Sequence, residues 1–222
     1  MTTGQGRRLS GDGFERALAA AERRLGFRLA SPAAIQRFLD AIPYSSDAFY
    51  RAPRRVLQDR KAHCFDGAVF AAAALRRIGH PPRILDLFAN GRDDEHLLAL
   101  FRVGGAWGAV AKSNFAGLRY REPVYRSLRE LAMSYFEFYY NLAREKTLRA
   151  YAGPVSLAPF DRLGWTDNDA AMEEIARRTD EVRRVRLIDA RMARRLSPVD
   201  ERSFRAGLLG ADPRGLFRPP SA

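Results

Sequence analysis

The 222-residue chain carries a single cysteine, Cys64. One thiol excludes an intramolecular disulfide framework and any zinc site built on two thiolates, and leaves that sulfur as packing or as a reagent. Histidine is equally scarce, limited to His63, His80 and His96, and lysine is limited to Lys61, Lys112 and Lys146. No apolar run approaches the ~18 residues of a membrane-spanning helix. The opening Met1-Thr2-Thr3-Gly4-Gln5-Gly6 lacks the charged-then-apolar plan of a cleaved signal, so a cytoplasmic protein with no membrane association is expected. A hydrophobic content of 46% with 11% aromatics is ample for one packed core and excludes a disordered chain.

The net charge is +12, and apart from three lysines the 38 cations are all arginine. Such a skew, with abundant alanine and glycine, is what codon bias in a GC-rich genome produces. Many of the arginines come in pairs, such as Arg76-Arg77 and Arg177-Arg178, among acidic residues or on solvated helix faces. A nucleic-acid partner is therefore not expected, although the charge favours acidic partners electrostatically.

Residues 1–12, rich in Gly, Thr and Arg, read as a disordered leader, and residues 206–222, ending in Gly and Pro, as a flexible tail. Between them lies a single α+β domain, residues 13–205, with its core at about 60–115 and a helical extension at 125–205. Phe14, Leu18, Ala21 and Leu25 mark an amphipathic helix ended by Gly26, and Ser31-Pro32 opens a second that runs to about Ala41. Residues 44–61 read as loop or weak helix, interrupted by Pro53. From Cys64 to Gly79 the chain is apolar nearly all round, the mark of a buried central helix. Three strand-like runs follow: Arg83 to Phe88, His96 to Val103 and Ala106 to Ala111. The last two are joined by Gly104-Gly105, a two-residue hairpin turn. A loop at 113–124 leads to an aromatic helix from Arg126 to Asn141, and a final helix follows Thr166. The fold expected is a central buried helix on a small antiparallel sheet, with extra N- and C-terminal helices.

A cysteine in the first turn of a buried helix meets unpaired N–H groups and the positive end of the helix dipole, both of which favour the thiolate. A base is also needed, and His96 opens a strand 32 residues later. If the Gly-Gly turn is tight, Val103 faces Ala106 and His96 lies opposite Ser113, with Ala111 its diagonal neighbour. A one-residue bulge would place Asn114 there instead.

This order of helix-initial Cys, strand His and a polar residue beyond the hairpin resembles the transglutaminase-like branch of the papain-like cysteine enzymes. Cys64-Phe65-Asp66-Gly67-Ala68, leading into Leu75-Arg76-Arg77-Ile78-Gly79-His80-Pro81-Pro82-Arg83, is similar to that family's Cys and Leu-Arg-x-x-Gly-x-Pro-x-Arg signature. His96 to Trp107 resembles its His, alternating strand, Gly-rich turn and Trp. The likeness spans about residues 60–115 and implies Cys64 as nucleophile and His96 as general base and acid. The family normally supplies an Asp a few residues after the Trp, whereas the slot four after Trp107 is Ala111; Ser113 or Asn114 is left to orient the imidazole.

The function so implied is cysteine-dependent hydrolysis or acyl transfer at an amide of a protein or peptide, through a Cys64 thioester. The oxyanion would take the Cys64 N–H and a donor from Lys61, Ala62 or His63. The scheme requires no metal and no organic cofactor. Substrate contacts are assigned to His63 beside the nucleophile, to Trp107, and to Arg119 and Arg121 beyond it. Each also has a plainer reading: a loop residue, a sheet-packing ring and a solvated basic loop. Asp93-Asp94-Glu95 reads as a polar turn. Two alternatives remain: a catalytically silent module binding a protein or peptide in the same cleft, and a basic nucleic-acid-binding domain.

Overall fold

The computed structural model describes residues 12–218, so the expected leader, apart from its last residue, and the last four residues of the expected tail lie outside the described residues. Helix α1 (Asp12–Leu25) buries Phe14, Leu18 and Ala21 and stops at Gly26, whose φ of +70° is the left-handed conformation that glycine adopts without strain. Helix α2 (Pro32–Asp40) is capped by Ser31, whose Oγ accepts the Ala34 N–H at 3.2 Å. Pro53 does not interrupt anything; it opens helix α3 (Pro53–Asp59), because a first-turn residue has no intrahelical partner for its N–H and proline loses nothing there. Helix α4 (Cys64–Arg77) is buried continuously from Phe65 to Leu75, as its all-round apolarity predicts.

Six strands form one antiparallel sheet: β1 (Arg83–Phe88), β2 (His96–Val103), β3 (Ala106–Val110), β4 (Arg121–Tyr125), β5 (Ala150–Ser156) and β6 (Val185–Arg186). Their spatial order is β4-β3-β2-β1-β5-β6. The β2–β3 register runs from Val103 opposite Ala106 to Ala99 opposite Val110, the pairing a tight Gly104-Gly105 turn dictates. It does not reach His96. After Val110 the chain leaves the sheet, because the Gln36 side chain takes both main-chain groups of Ala111 (2.9 and 3.0 Å) and Lys112 Nζ donates to the carbonyls of Leu39 and Ile42. Ser113 is therefore not the cross-strand neighbour of His96.

Three strands depart from the sequence expectation, the shortest being β6, which falls within the expected helical extension. Residues 121–125, all but the last expected in a loop, form β4 on the edge. Residues 150–156, within the expected helical extension, form β5 between β1 and β6. Pro154 hides β5, since proline cannot donate to a ladder; the strand accommodates it where the pairing with β1 shifts between Ile84 and Asp86. The aromatic helix is also shorter than its stripe suggests. Only α5 (Leu128–Met133) is helical, followed by a 3-10 turn at Phe136–Phe138. Tyr135, Phe136 and Tyr139 are drawn into the sheet face instead, and this packing overrides the helical period. Helix α6 (Ala170–Asp180), the helix expected after Thr166, buries Ala171, Met172, Ile175 and Thr179, and the short helices α7 (Ala190–Ala193) and α8 (Glu201–Gly207) follow.

Both sheet faces are covered. Leu97, Ala99 and Phe101 of β2 join the core built around α4, while Leu98 and Leu100 face Leu131, Tyr135 and Tyr139 on the other side. A doubly covered strand needs no polar alternation, which is why His96 to Phe101 is buried throughout. Among the described residues no helix is long and apolar enough to cross a membrane.

Candidate active site around Cys64

Cys64 occupies the first turn of α4, where His63 caps the helix reciprocally with Asp66. His63 Nδ1 accepts the Asp66 N–H at 3.4 Å, and an Asp66 carboxylate oxygen accepts the His63 N–H at 3.4 Å. Asp66 is fully buried and also accepts the Arg51 N–H at 2.7 Å. The Arg51 guanidinium, itself buried, reaches Ser45, Asp47 and Asp59 and lies 3.6 Å from Asp66, which ties the loop before α3 to the start of α4. Parallel pairing of Tyr44 with Ala62 then sets the Tyr44 phenol beside Cys64.

The half-buried Cys64 thiol points towards the opening of β2, with Sγ 3.8 Å from the Glu95 carbonyl oxygen. Burial, reinforced by the carboxylates of Asp94 and Asp86, pushes the thiol up to about 12. Position at a helix start favours the thiolate, but desolvation wins, and the resting sulfur is protonated at neutral pH. This departs from the reactive thiolate that sequence position alone suggests.

His96 is buried on the other face of the sheet, between the rings of Tyr135 and Tyr139 (centroids 6.5 and 6.4 Å away). Its Nε2 lies 2.7 Å from the Leu118 carbonyl oxygen. A carbonyl can only accept, so Nε2 carries the proton and Nδ1 the lone pair. Burial holds the imidazole down at about 4, which keeps it neutral at pH 7. Among the described residues the imidazole makes no hydrogen bond to the sulfur. Cys64 and His96 do, however, line one small cavity of about 40 Å³, roomy enough for water, together with Tyr44, Leu118, Tyr139 and Phe217.

The expected orienting residues are employed elsewhere. Ser113 Oγ accepts the Phe115 N–H at 3.0 Å, and Asn114 exchanges two hydrogen bonds of 2.8 Å with the main chain of Asp212. Both line the shared cavity without bonding to His96, whose Nε2 is held by the Leu118 carbonyl instead. Of the expected oxyanion donors, the Ala62 N–H is spent on the Pro43 carbonyl and the His63 N–H on Asp66.

The substrate-contact residues divide in the same way. His63 lines a larger cleft of about 370 Å³ together with Cys64, Asp86, Glu95 and Asp180. Trp107 lies outside that cleft, near the turn end of the hairpin, with the Arg102 guanidinium 4.7 Å from its ring. Arg119 pairs with Asp40 at 3.3 Å and lines a separate cavity beside α2. Arg121 is a clamp: it donates to Ser134 Oγ and to the carbonyls of Gly117, Tyr120 and Ser134, and stacks 3.9 Å over Tyr135. Sequence reasoning missed Tyr44, the Leu118 carbonyl, and the C-terminal residues Gly215 and Phe217 that border the thiol. A main-chain carbonyl leaves no signature in a sequence, and nothing near Tyr44 in the chain points to Cys64.

No protein-family model matches the chain, and no curated protein sequence matches it. Among solved structures, LapG of Legionella pneumophila aligns over 78% of this chain and 91% of its own, at 13% identity and a TM-score of 0.36. The EGTA-treated form of LapG aligns over 50% of this chain and 64% of its own, at 14% identity and a TM-score of 0.30. Scores this low carry nothing about chemistry, which must be read from the residues.

Proposed function

We propose that this chain is a transglutaminase-like cysteine hydrolase or acyltransferase, acting on an amide of a protein or peptide through a Cys64 thioester. The observation that carries this reading is the single cavity lined by both Cys64 and a His96 whose Nδ1 holds the free lone pair. The sulfur attacks the carbonyl carbon as its proton passes to Nδ1, so the thiolate need not exist at rest. The Leu118 carbonyl holds Nε2–H and steadies the imidazolium. Nδ1–H then protonates the leaving amine as the C–N bond breaks, and water or a second amine resolves the thioester. Residues 212–217 must move aside for a peptide to enter, because Gly215 and Phe217 share the cavity.

A second reading has its own support. A neutral thiol held against the Glu95 carbonyl, and not against an imidazole, suits a silent relative that binds a peptide in the same cleft. Labelling with a panel of peptidyl amide electrophiles, read by mass spectrometry, separates the two. Catalysis predicts capture at Cys64 that falls by about 10²- to 10⁴-fold in His96→Ala. Equally slow capture in both proteins overturns the enzyme reading and leaves the binding module.

A further inference from the structure

Three carboxylates from three separate elements meet at the rim of the larger cleft: Asp86 within β1, Glu95 just before β2, and Asp180 at the end of α6. Each offers one oxygen, and these oxygens lie within 4.8 Å of one another. Asp86 is 3% exposed, and its Oδ1 is buried without a hydrogen-bond partner. An unpartnered buried carboxylate oxygen costs free energy that a fold normally recovers with a donor or an ion. The nearest cation does not supply it. Arg184 reaches only the outer carboxylate, with Nη2 3.7 Å from Glu95 Oε1, and its guanidinium is held 3.7 Å over the Phe88 ring.

We propose that Asp86, Glu95 and Asp180 bind one hard divalent cation, of the calcium or magnesium kind. The donor set is entirely oxygen, and no thiolate or imidazole belongs to it, which selects hard cations over zinc or copper. Carboxylate oxygens within 4.8 Å of one another match ligands about 2.1–2.5 Å from a common centre. Asp86 comes from β1 and Glu95 from the residue that leads into the neighbouring strand β2, while Asp180 arrives from a helix some 85 residues further along the chain. Ion binding therefore ties α6 to the sheet. The exposed side of Asp180 and the cleft beside it provide access and room for water to complete the coordination. Glu95 is also the residue whose carbonyl faces the Cys64 sulfur, so the ion would fix the backbone on which that thiol rests. The site does not depend on the chain being an enzyme.

The test is calorimetric titration of the full chain, freed of metal with a chelator, with CaCl₂, MgCl₂ and MnCl₂ in turn, alongside thermal unfolding. One equivalent of at least one cation is expected to bind and to raise Tm with concentration. Asp180→Asn, at an exposed position, should weaken binding at least tenfold with the far-UV circular dichroism of the metal-free protein unchanged. Asp86→Asn should abolish binding without lowering the metal-free Tm. No heat and no shift in Tm with any of the three at millimolar concentration overturns the site, as does binding that survives Asp180→Asn undiminished. Because the readout is binding, failure here leaves the Cys64 chemistry standing, and failure of that chemistry leaves the cation site standing.

Discussion

The His96 imidazole and the Leu118 main-chain carbonyl meet at 2.7 Å, and that contact decides which ring nitrogen can act as a base. With Nε2 donating, Nδ1 is the acceptor. At pH 7, long-range ¹H–¹⁵N spectra should show a pyrrole-type Nε2 and a pyridine-type Nδ1 for His96. The opposite tautomer would remove Leu118 as the orienting group and with it the proposed path of the proton.

The Cys64 thiol, pushed up to about 12 by burial, should alkylate slowly at neutral pH, with a rate that climbs steadily through pH 10. Iodoacetamide kinetics across this range give the answer. A plateau at or below the free-thiol value of about 8.5 would show a thiolate stabilised by a partner that the resting geometry does not provide.

His63 makes stability sensitive to acid. Burial, with Arg51 nearby, lowers its value from 6.5 to about 4, and protonation would remove the Nδ1 lone pair that caps α4. A lowered value means the stabilisation is whole above about pH 6.5 and is lost as pH falls through 4, by about 3 kcal/mol at most. His63→Ser keeps a capping oxygen and does not titrate. Urea midpoints at pH 7 and 4.5 should therefore fall less in the variant than in the wild type.

Gly67 lies in the first turns of α4, directly against Lys112. A β-carbon there would sit 2.2 Å from the Lys112 β-carbon, and that side chain cannot retreat because its Nζ is held by the carbonyls of Leu39 and Ile42. Glycine to alanine in an open helix gains up to about 1 kcal/mol, whereas overpacking of this kind costs about 1–3 kcal/mol. Gly67→Ala should therefore lower Tm by several degrees in a thermal scan, and an unchanged Tm would mean the α4–Lys112 contact is looser than described.

Asn114 holds the C-terminal segment through its paired hydrogen bonds with Asp212. Removing them in Asn114→Ala should release Gly215 and Phe217 from the cavity and speed Cys64 alkylation several-fold at fixed pH. An unchanged rate would show that this segment does not shield the thiol.

The sequence by itself determined what depends on a few neighbouring residues. Ser31-Pro32 specified the start of α2, Gly26 the stop of α1, and Gly104-Gly105 the hairpin and its register. The all-round apolarity after Cys64 specified a buried helix with that cysteine in its first turn, and the three- and four-residue spacing of Met172, Ile175 and Thr179 specified α6. Caps, turns and periodicities act over a handful of bonds, so they can be read from the chain. The tertiary structure alone decided the rest. Pairing with β1 made a strand of a proline-bearing passage, and Gln36 drew Ala111 out of the sheet before His96 could meet Ser113. Burial set the Cys64 thiol and the His96 imidazole neutral, and a backbone carbonyl from Leu118 took the place sought among side chains. Asp180 joined Asp86 and Glu95 across a gap in sequence that no local spacing reveals. Desolvation and long-range pairing depend on every element packed around a group, and a linear pattern carries no record of them.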